Sequence, residues 1–296
     1  MRERVFRFGA QGNLIGVLTE PDDGARPASP ALLVSNVGLN HRIGPNRLWV
    51  DLARLLAERG LATLRFDGSG LGDSDPRRGA SDGEIHGVAD LEDAMRFLES
   101  KRGVRRFAIA GLCSGVDSAH VVALADGRVA GAAFIDGYAY ATLGYEVRAA
   151  AQRVRGILRP VRWRRWFTRR VLGRTEAPLP GYASTYSGEG AAIFKRVYPP
   201  IEHFRADVQQ MVARGMQLFY LYTADAAWFD RRTQFEAMMG WKELPADLEV
   251  EHWPETDHVF TAAGDRARAV HRLAAWMETC CSQSRAPAPV VAERIS

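Results

Sequence analysis

The residues Phe107-Ala-Ile-Ala-Gly111-Leu112-Cys113-Ser114-Gly115 run an apolar strand directly into a small-x-Cys-x-small turn and then into a helix. A nucleophile on such a turn is lifted above the sheet, and the bend is sharp enough that residues two places either side must lack bulk. Gly111 and Gly115 meet that condition. Cys113 then lies at a helix N-terminus, whose dipole favours a thiolate. The amide of Ser114 points to where an oxyanion would form. Sulfur stands where the pattern usually carries a hydroxyl, so the expected chemistry is attack on an acyl carbonyl through an acyl-cysteine. Ser114 is the rival nucleophile. It sits one place late, where its side chain points along the helix, and its expected contribution is an amide. A lone cysteine is otherwise a small buried hydrophobe; the strand, glycines and helix around Cys113 favour chemistry.

A second glycine-rich stretch, Arg65-Phe-Asp67-Gly68-Ser69-Gly70-Leu71-Gly72-Asp73-Ser74, also follows a strand. Its spacing is GxGxG rather than GxGxxG and no helix opens on it, so a dinucleotide phosphate loop is the weaker reading. Around both motifs the elements alternate. Two strands over 5–8 and 14–19 read as a hairpin. Strands are predicted over 31–35, 61–66, 107–110 and 129–135, with helices over 46–59, 90–100 and 114–125 between them. The alternation pauses over a polar, arginine-rich stretch broken by Pro160, Pro178, Pro180, Pro199 and Pro200. It resumes with a strand over 216–223, a helix over 231–239, a strand over 248–253 and a helix over 265–280. This order predicts a parallel sheet covered on both faces. Residues 1–141 and 214–281 form its core, an arginine-rich helical cap spans 142–213, and 282–296 is a frayed, Pro/Ala-rich flexible tail.

Together these motifs resemble the α/β-hydrolases: D-x-x-G-x-G-x-S from Asp67 to Ser74, the elbow from Gly111 to Gly115, and a late Asp257-His258. Within that superfamily, Asn40-His41-Arg42-Ile43-Gly44-Pro45-Asn46-Arg47-Leu48 and Gly111-Leu-Cys-Ser-Gly115 are similar to cysteine-elbow hydrolases associated with exosortase systems and to acyl thioesterases. The similarity covers residues 1–141 and about 214–280 and leaves the cap aside. It implies the α/β-hydrolase fold, a mostly parallel eight-stranded sheet with helices on both faces and a helical cap inserted after the sixth strand. It also implies that His258, after the eighth strand, is the general base. His252 within a strand and His271 within a helix are placed less well. The acid that orients His258 has two candidates. Asp225, in Leu221-Tyr-Thr-Ala-Asp225, holds the usual place after the seventh strand. Asp136, in Ala132-Ala-Phe-Ile-Asp136-Gly137-Tyr138, ends the sixth strand at a glycine turn, as in some acyl-thioesterase relatives. The Asp225 loop lacks a turn-shaping glycine, and the reading leans to Asp136. The loop Asn36-Val37-Gly38-Leu39-Asn40 occupies the place of the second oxyanion donor, with Gly38 allowing close approach and the Leu39 amide donating. His41 is expected to line the pocket.

Composition narrows the classes. The chain has 296 residues, 47% hydrophobic and 25% charged, a globular balance. It carries neither the run of about 20 apolar residues of a membrane span nor the apolar N-terminal stretch of a secretory signal. Three cysteines, Cys113, Cys280 and Cys281, make no disulfide framework, and a reducing, cytoplasmic setting fits best. No cysteine–histidine cluster has zinc spacing, and neither a metal nor an organic cofactor is expected. The net charge of +4 hides ten arginines against two acids between Glu146 and Glu176, a local balance of +8 on a body of −4. That pattern argues against a dedicated nucleic-acid binder. Within this run Trp163 and Trp166 interleave with arginines and are expected to touch substrate. Three readings stand for the run: an entrance for coenzyme A phosphates or an acidic acyl-carrier protein, a peripheral contact with an anionic membrane, or a solvated helix face. The expected function is an esterase, thioesterase or acyltransferase on a small-molecule or carrier-bound acyl substrate. A ligand-binding protein without turnover and a membrane-surface partner are the alternatives.

Overall fold

The computed structural model describes residues 1–22, 28–34, 36–79, 86–158 and 196–283. β1 (Arg2–Phe8) and β2 (Leu14–Glu20) form the expected antiparallel hairpin, closing with Phe8 opposite Leu14. β3 (Ala28–Val34), β4 (Leu61–Asp67), β5 (Phe107–Leu112), β6 (Val129–Ile135), β7 (Gln217–Thr223) and β8 (Leu248–Trp253) complete an eight-stranded sheet of order β1-β2-β4-β3-β5-β6-β7-β8. β2 pairs antiparallel with β4, and every pair from β4 to β8 is parallel. Every residue of β4, β5, β6 and β7 is buried, as a sheet covered on both faces requires.

The described helices are α1 (Leu48–Glu58), α2 (Gly87–Arg102), α3 (Gly115–Ala125), α4 (Leu143–Leu158), α5 (Ile201–Ala213), α6 (Gln234–Met239) and α7 (Ala263–Gln283). The strand period of two sends alternate side chains into two cores. Leu33 and Ile109 meet Leu91 and Met95 of α2, Val116 of α3 and Phe235 of α6. Leu32 and Ala108 meet Trp49 and Leu52 of α1 and Leu273 and Trp276 of α7. None of the described helices is long and apolar enough to cross a membrane.

Beyond shifts of two or three residues at element ends, two departures have a physical reason. The first helix begins at Leu48 rather than at residue 46, because Asn46 and Arg47 take positive φ of 48° and 69° in a short 3-10 turn. Gly44 opens that turn at φ 72°, where a Cβ would meet the Trp49 ring at 2.5 Å. The second is α5, which falls inside the span expected for the cap. Phe204, Val208 and Met211, one helical face, sink into the same core as β5 and β6, so α5 is a crossover helix of the sheet. The arginine-rich centre of the expected cap, with Trp163 and Trp166, and the expected tail from residue 284 onward lie outside the described residues.

Candidate active site

β3, β5, β6, β7 and β8 are successive neighbours and parallel, so their C-terminal ends share one edge. Cys113 follows β5 and sits at φ 53°, a conformation that costs a non-glycine residue about 1–3 kcal/mol. The sheet and α3 hold it there. The Cys113 amide donates to the Ile135 carbonyl at 3.0 Å, continuing the ladder with β6. At Gly111 a Cβ would lie 2.6 Å from the Gly115 carbonyl oxygen and 2.9 Å from Val116 Cα. Backbone cannot yield there, which is the physical reason for the small residue two places before the sulfur.

Asp136 follows β6, also in a left-handed conformation at φ 46°. Its amide donates to Leu221 O at 2.8 Å. Its carboxylate is buried and accepts three bonds: Oδ1 from the Thr223 amide at 2.7 Å, and Oδ2 from the Thr223 hydroxyl at 2.7 Å and from His258 Nδ1 at 2.6 Å. A carboxylate can only accept, so Nδ1 carries the proton. Nε2 is left to face Cys113, and the imidazole and the thiol shift each other's titration. Asp225, the other candidate acid, is exposed and accepts the His258 backbone amide at Oδ2, 2.9 Å away. One carboxylate therefore holds the ring of His258 and the other holds its main chain. Asp257 accepts the amides of Val259 and Thr261, fixing the turn that leads to α7.

The electrostatics follow from these contacts. Burial pushes the Cys113 thiol up, but the hydrogen bond and charge of His258, the Arg196 guanidinium and the Ser114 amide bring it net below the usual thiol value. Burial likewise opposes charge on His258, yet Asp136 and Cys113 push the imidazole up to about 10. Both directions favour a thiolate–imidazolium pair over the neutral pair.

The loop after β3 differs in detail from expectation. Gly38, at φ 54°, donates its amide to the Ser114 hydroxyl at 2.8 Å. The Ser114 side chain thus has a use of its own: it pins the loop to the elbow. The Ser114 amide is close enough to the Cys113 sulfur to favour its thiolate. The Leu39 amide has no hydrogen-bond partner among the described residues, and its side chain is half exposed.

The D-x-x-G-x-G-x-S motif is architectural. Asp67, fully buried, accepts the Arg42 amide at 2.6 Å, Asn36 Nδ2 at 3.0 Å, the Asp73 amide at 3.2 Å and the Arg42 guanidinium. Gly72 is required because a Cβ there would meet the Asp67 carboxylate at 2.5 Å. Asn36 Oδ1 accepts the Gly68 amide at 2.5 Å. His41 joins this cluster, at 3.3 Å from Asp73 and 2.6 Å from Arg42 Nη1; its hydrogen bonds do not reach Cys113 or His258. The donor atoms of His41, Asp67 and Asp73 lie within 4.8 Å of one another, but the Arg42 guanidinium holds the place a cation would take.

Several residues at this edge escaped sequence reasoning. Thr223 shows only as the last residue of a predicted strand, and its two bonds to Asp136 depend on β7 lying beside β6. Arg196, Asp117 and Tyr198 are separated by up to about 80 residues and carry no motif; Arg196 forks onto Asp117 at 2.7–3.1 Å.

No curated protein matches this sequence. The fold, however, is widely shared. A serine hydrolase homologue from Coxiella burnetii aligns with a TM-score of 0.51 at 17% identity, covering 93% of this chain and 96% of its own. An esterase from Pyrococcus furiosus gives 0.57 at 13% identity, with 94% and 91% covered. Est1E from Butyrivibrio proteoclasticus gives 0.58 at 12% identity, with 95% and 100% covered. At these identities the likeness is one of fold. The profile of the alpha/beta hydrolase family matches residues 32–279, a span that begins in β3 and ends in α7 and so includes Cys113, Asp136 and His258; the chain belongs to that family.

Proposed function

We propose that this hydrolase-family chain uses Cys113, His258 and Asp136 as a catalytic triad on an ester or thioester carbonyl. The observation that carries the reading is His258 bonded through Nδ1 to buried Asp136 at 2.6 Å, with its imidazole electrostatically coupled to the Cys113 sulfur at the elbow. The Cys113 thiolate adds its electron pair to the carbonyl carbon, and the carbonyl oxygen takes the negative charge. The amides of Ser114 and Leu39 receive that oxyanion. As the carbon–oxygen or carbon–sulfur bond to the leaving group breaks, the His258 imidazolium protonates the departing alkoxide or thiolate. The product is a Cys113 acyl thioester. Water then attacks, His258 takes its proton, and the Cys113 thiolate is expelled as the carboxylic acid forms. An alcohol or amine in place of water gives transacylation by the same steps, and the thioester intermediate retains the energy for it.

The subgroup similarity to cysteine-elbow hydrolases of exosortase systems, and the arginine run between Glu146 and Glu176, favour carrier-bound acyl substrates. In this reading the arginines meet the phosphates of a coenzyme A thioester or the acidic face of an acyl-carrier protein, and Trp163 and Trp166 contact the acyl chain. Cytoplasmic placement and a cap that runs from residue 142 to the start of α5 belong to the same proposal.

Intact-mass measurement after incubation with an acyl N-acetylcysteamine thioester and with a p-nitrophenyl ester tests it. The wild type gains one acyl mass, Cys113→Ala gains none, and His258→Ala gains it slowly. Full activity in Cys113→Ala would end the reading. Saturable binding with neither adduct nor turnover would replace it with a ligand-binding role.

A further inference from the structure

A half-buried ion pair near the nucleophile is left unused by the steps above. Arg196 places its guanidinium over the rings of Tyr138 and Tyr198, 5.5 and 5.1 Å from their centroids. Its Nε and Nη2 grip the carboxylate of Asp117, four residues after Cys113 in the first turn of α3. Its Nη1 donates to the backbone carbonyl of Asp136 at 3.2 Å. Two neighbouring bonds repeat the stitch: the Tyr198 hydroxyl donates to Gly137 O at 3.4 Å and the Tyr140 hydroxyl to Pro199 O at 2.7 Å. Residues 196–200 therefore strap the turn that carries Asp136, and Arg196 ties that turn to the helix behind Cys113.

Two physical needs meet at this arginine. Asp136 is held in a left-handed conformation, which persists only where its surroundings over-determine it. Thr223 holds its carboxylate and Arg196 holds its carbonyl. The second need is charge. The groups facing Cys113 are His258 from the loop after β8, Arg196 and Tyr198 from the strap, Asp136 behind His258, and Asp117 on α3. Burial and its neighbours keep the Tyr198 phenol protonated. Arg196 is the fixed cation of the set. A guanidinium can fork onto Asp117 and still spare a nitrogen for the carbonyl, which an ammonium cannot do in the same geometry.

We propose that Arg196 is a positioning residue: its fork onto Asp117 and its bond to the Asp136 carbonyl lock the Asp136 turn against the nucleophile helix and fix a cation at that edge. The proposal rests on the Cys113–His258–Asp136 reading. Its test is the pH dependence of Cys113 alkylation by iodoacetamide, read by peptide mass in the full chain, for wild type, Arg196→Met, Arg196→Lys and Asp117→Asn. In Arg196→Met the rate below the wild-type midpoint falls about tenfold, while the high-pH plateau is kept, and kcat falls more than KM changes. Arg196→Lys returns the alkylation profile toward wild type but leaves kcat reduced. Asp117→Asn, which loosens the fork and keeps the cation, lowers kcat without raising the midpoint. These two variants carry the test if Arg196→Met does not fold. A merely structural arginine would lower the melting temperature of all three with the midpoint unmoved, and that result overturns the proposal. An active Cys113→Ala protein, or a wild type whose Cys113 alkylates only at ordinary thiol pH, would instead sink the triad on which it rests.

Discussion

Asp136→Asn exchanges one carboxylate oxygen for an amino group at a position only 6% exposed. The Thr223 amide, 2.7 Å from Oδ1, keeps an acceptor. At Oδ2 an NH₂ would confront two donors, the Thr223 hydroxyl at 2.7 Å and His258 Nδ1 at 2.6 Å. The hydroxyl can turn and accept. The imidazole can respond only by moving its proton to Nε2, which then cannot take a proton from Cys113. The lost bond to a charged partner is worth about 1.5–3 kcal/mol, or roughly 10–150-fold in rate. With the wrong tautomer added, kcat/KM falls about 10³–10⁴-fold. The imidazole also drops from its raised value of about 10. Less imidazolium is present at neutral pH, and Cys113 alkylation at pH 7 slows with it. Shape is conserved, so the melting temperature changes little. Asp225→Asn is the control: an amide oxygen can still accept the His258 backbone amide now at 2.9 Å, and kcat/KM stays within about tenfold. Steady-state hydrolysis of a p-nitrophenyl ester and an acyl thioester measures both. An Asp136→Asn enzyme within tenfold of wild type, or an Asp225→Asn enzyme more damaged than it, would refute the assignment of the acid.

Three further outcomes follow from the same geometry. Gly111→Ala drives a methyl group against the Gly115 carbonyl at 2.6 Å and costs about 1–3 kcal/mol of stability in urea titration, with activity lost in the protein that still folds. Ser114→Ala removes the acceptor of the Gly38 amide but keeps its own amide; kcat falls about tenfold while intact mass still finds the acyl group on Cys113, and loss of acylation would transfer the nucleophile's role to Ser114. Asp67→Asn takes the fully buried partner from Arg42 and costs about 3 kcal/mol in the same titration, although Asp67 touches none of the reacting groups; a neutral result would remove its architectural role.

Local pattern was enough for most of the chain. β6 lies where its apolar run places it and β8 where its alternation does, because a strand buried on both faces announces itself by composition and an edge strand by its period of two. The elbow was equally legible, since Gly111 answers to a backbone contact four residues away. The α5 helix was not. Its apolar face, Phe204, Val208 and Met211, has a helical period, but it follows Pro199-Pro200 and is set among charged residues that suited a cap. Only packing against the sheet reveals that it belongs to the core.

The choice between Asp136 and Asp225 belongs to tertiary structure. Each is a carboxylate just beyond the end of a parallel strand, and 122 residues separate Asp136 from His258. β8 lies beside β7 and β7 beside β6. The loop leaving β8 therefore crosses the end of β7, where its backbone meets Asp225, and extends its imidazole one strand further to Asp136. Amino-acid types and spacing determine that a sulfur, an imidazole and two carboxylates stand at one edge of a sheet. Which carboxylate serves the ring, and that Thr223 and Arg196 brace it, depends on the order in which strands lie side by side, a property of long-range hydrogen bonding that no local run of residues encodes.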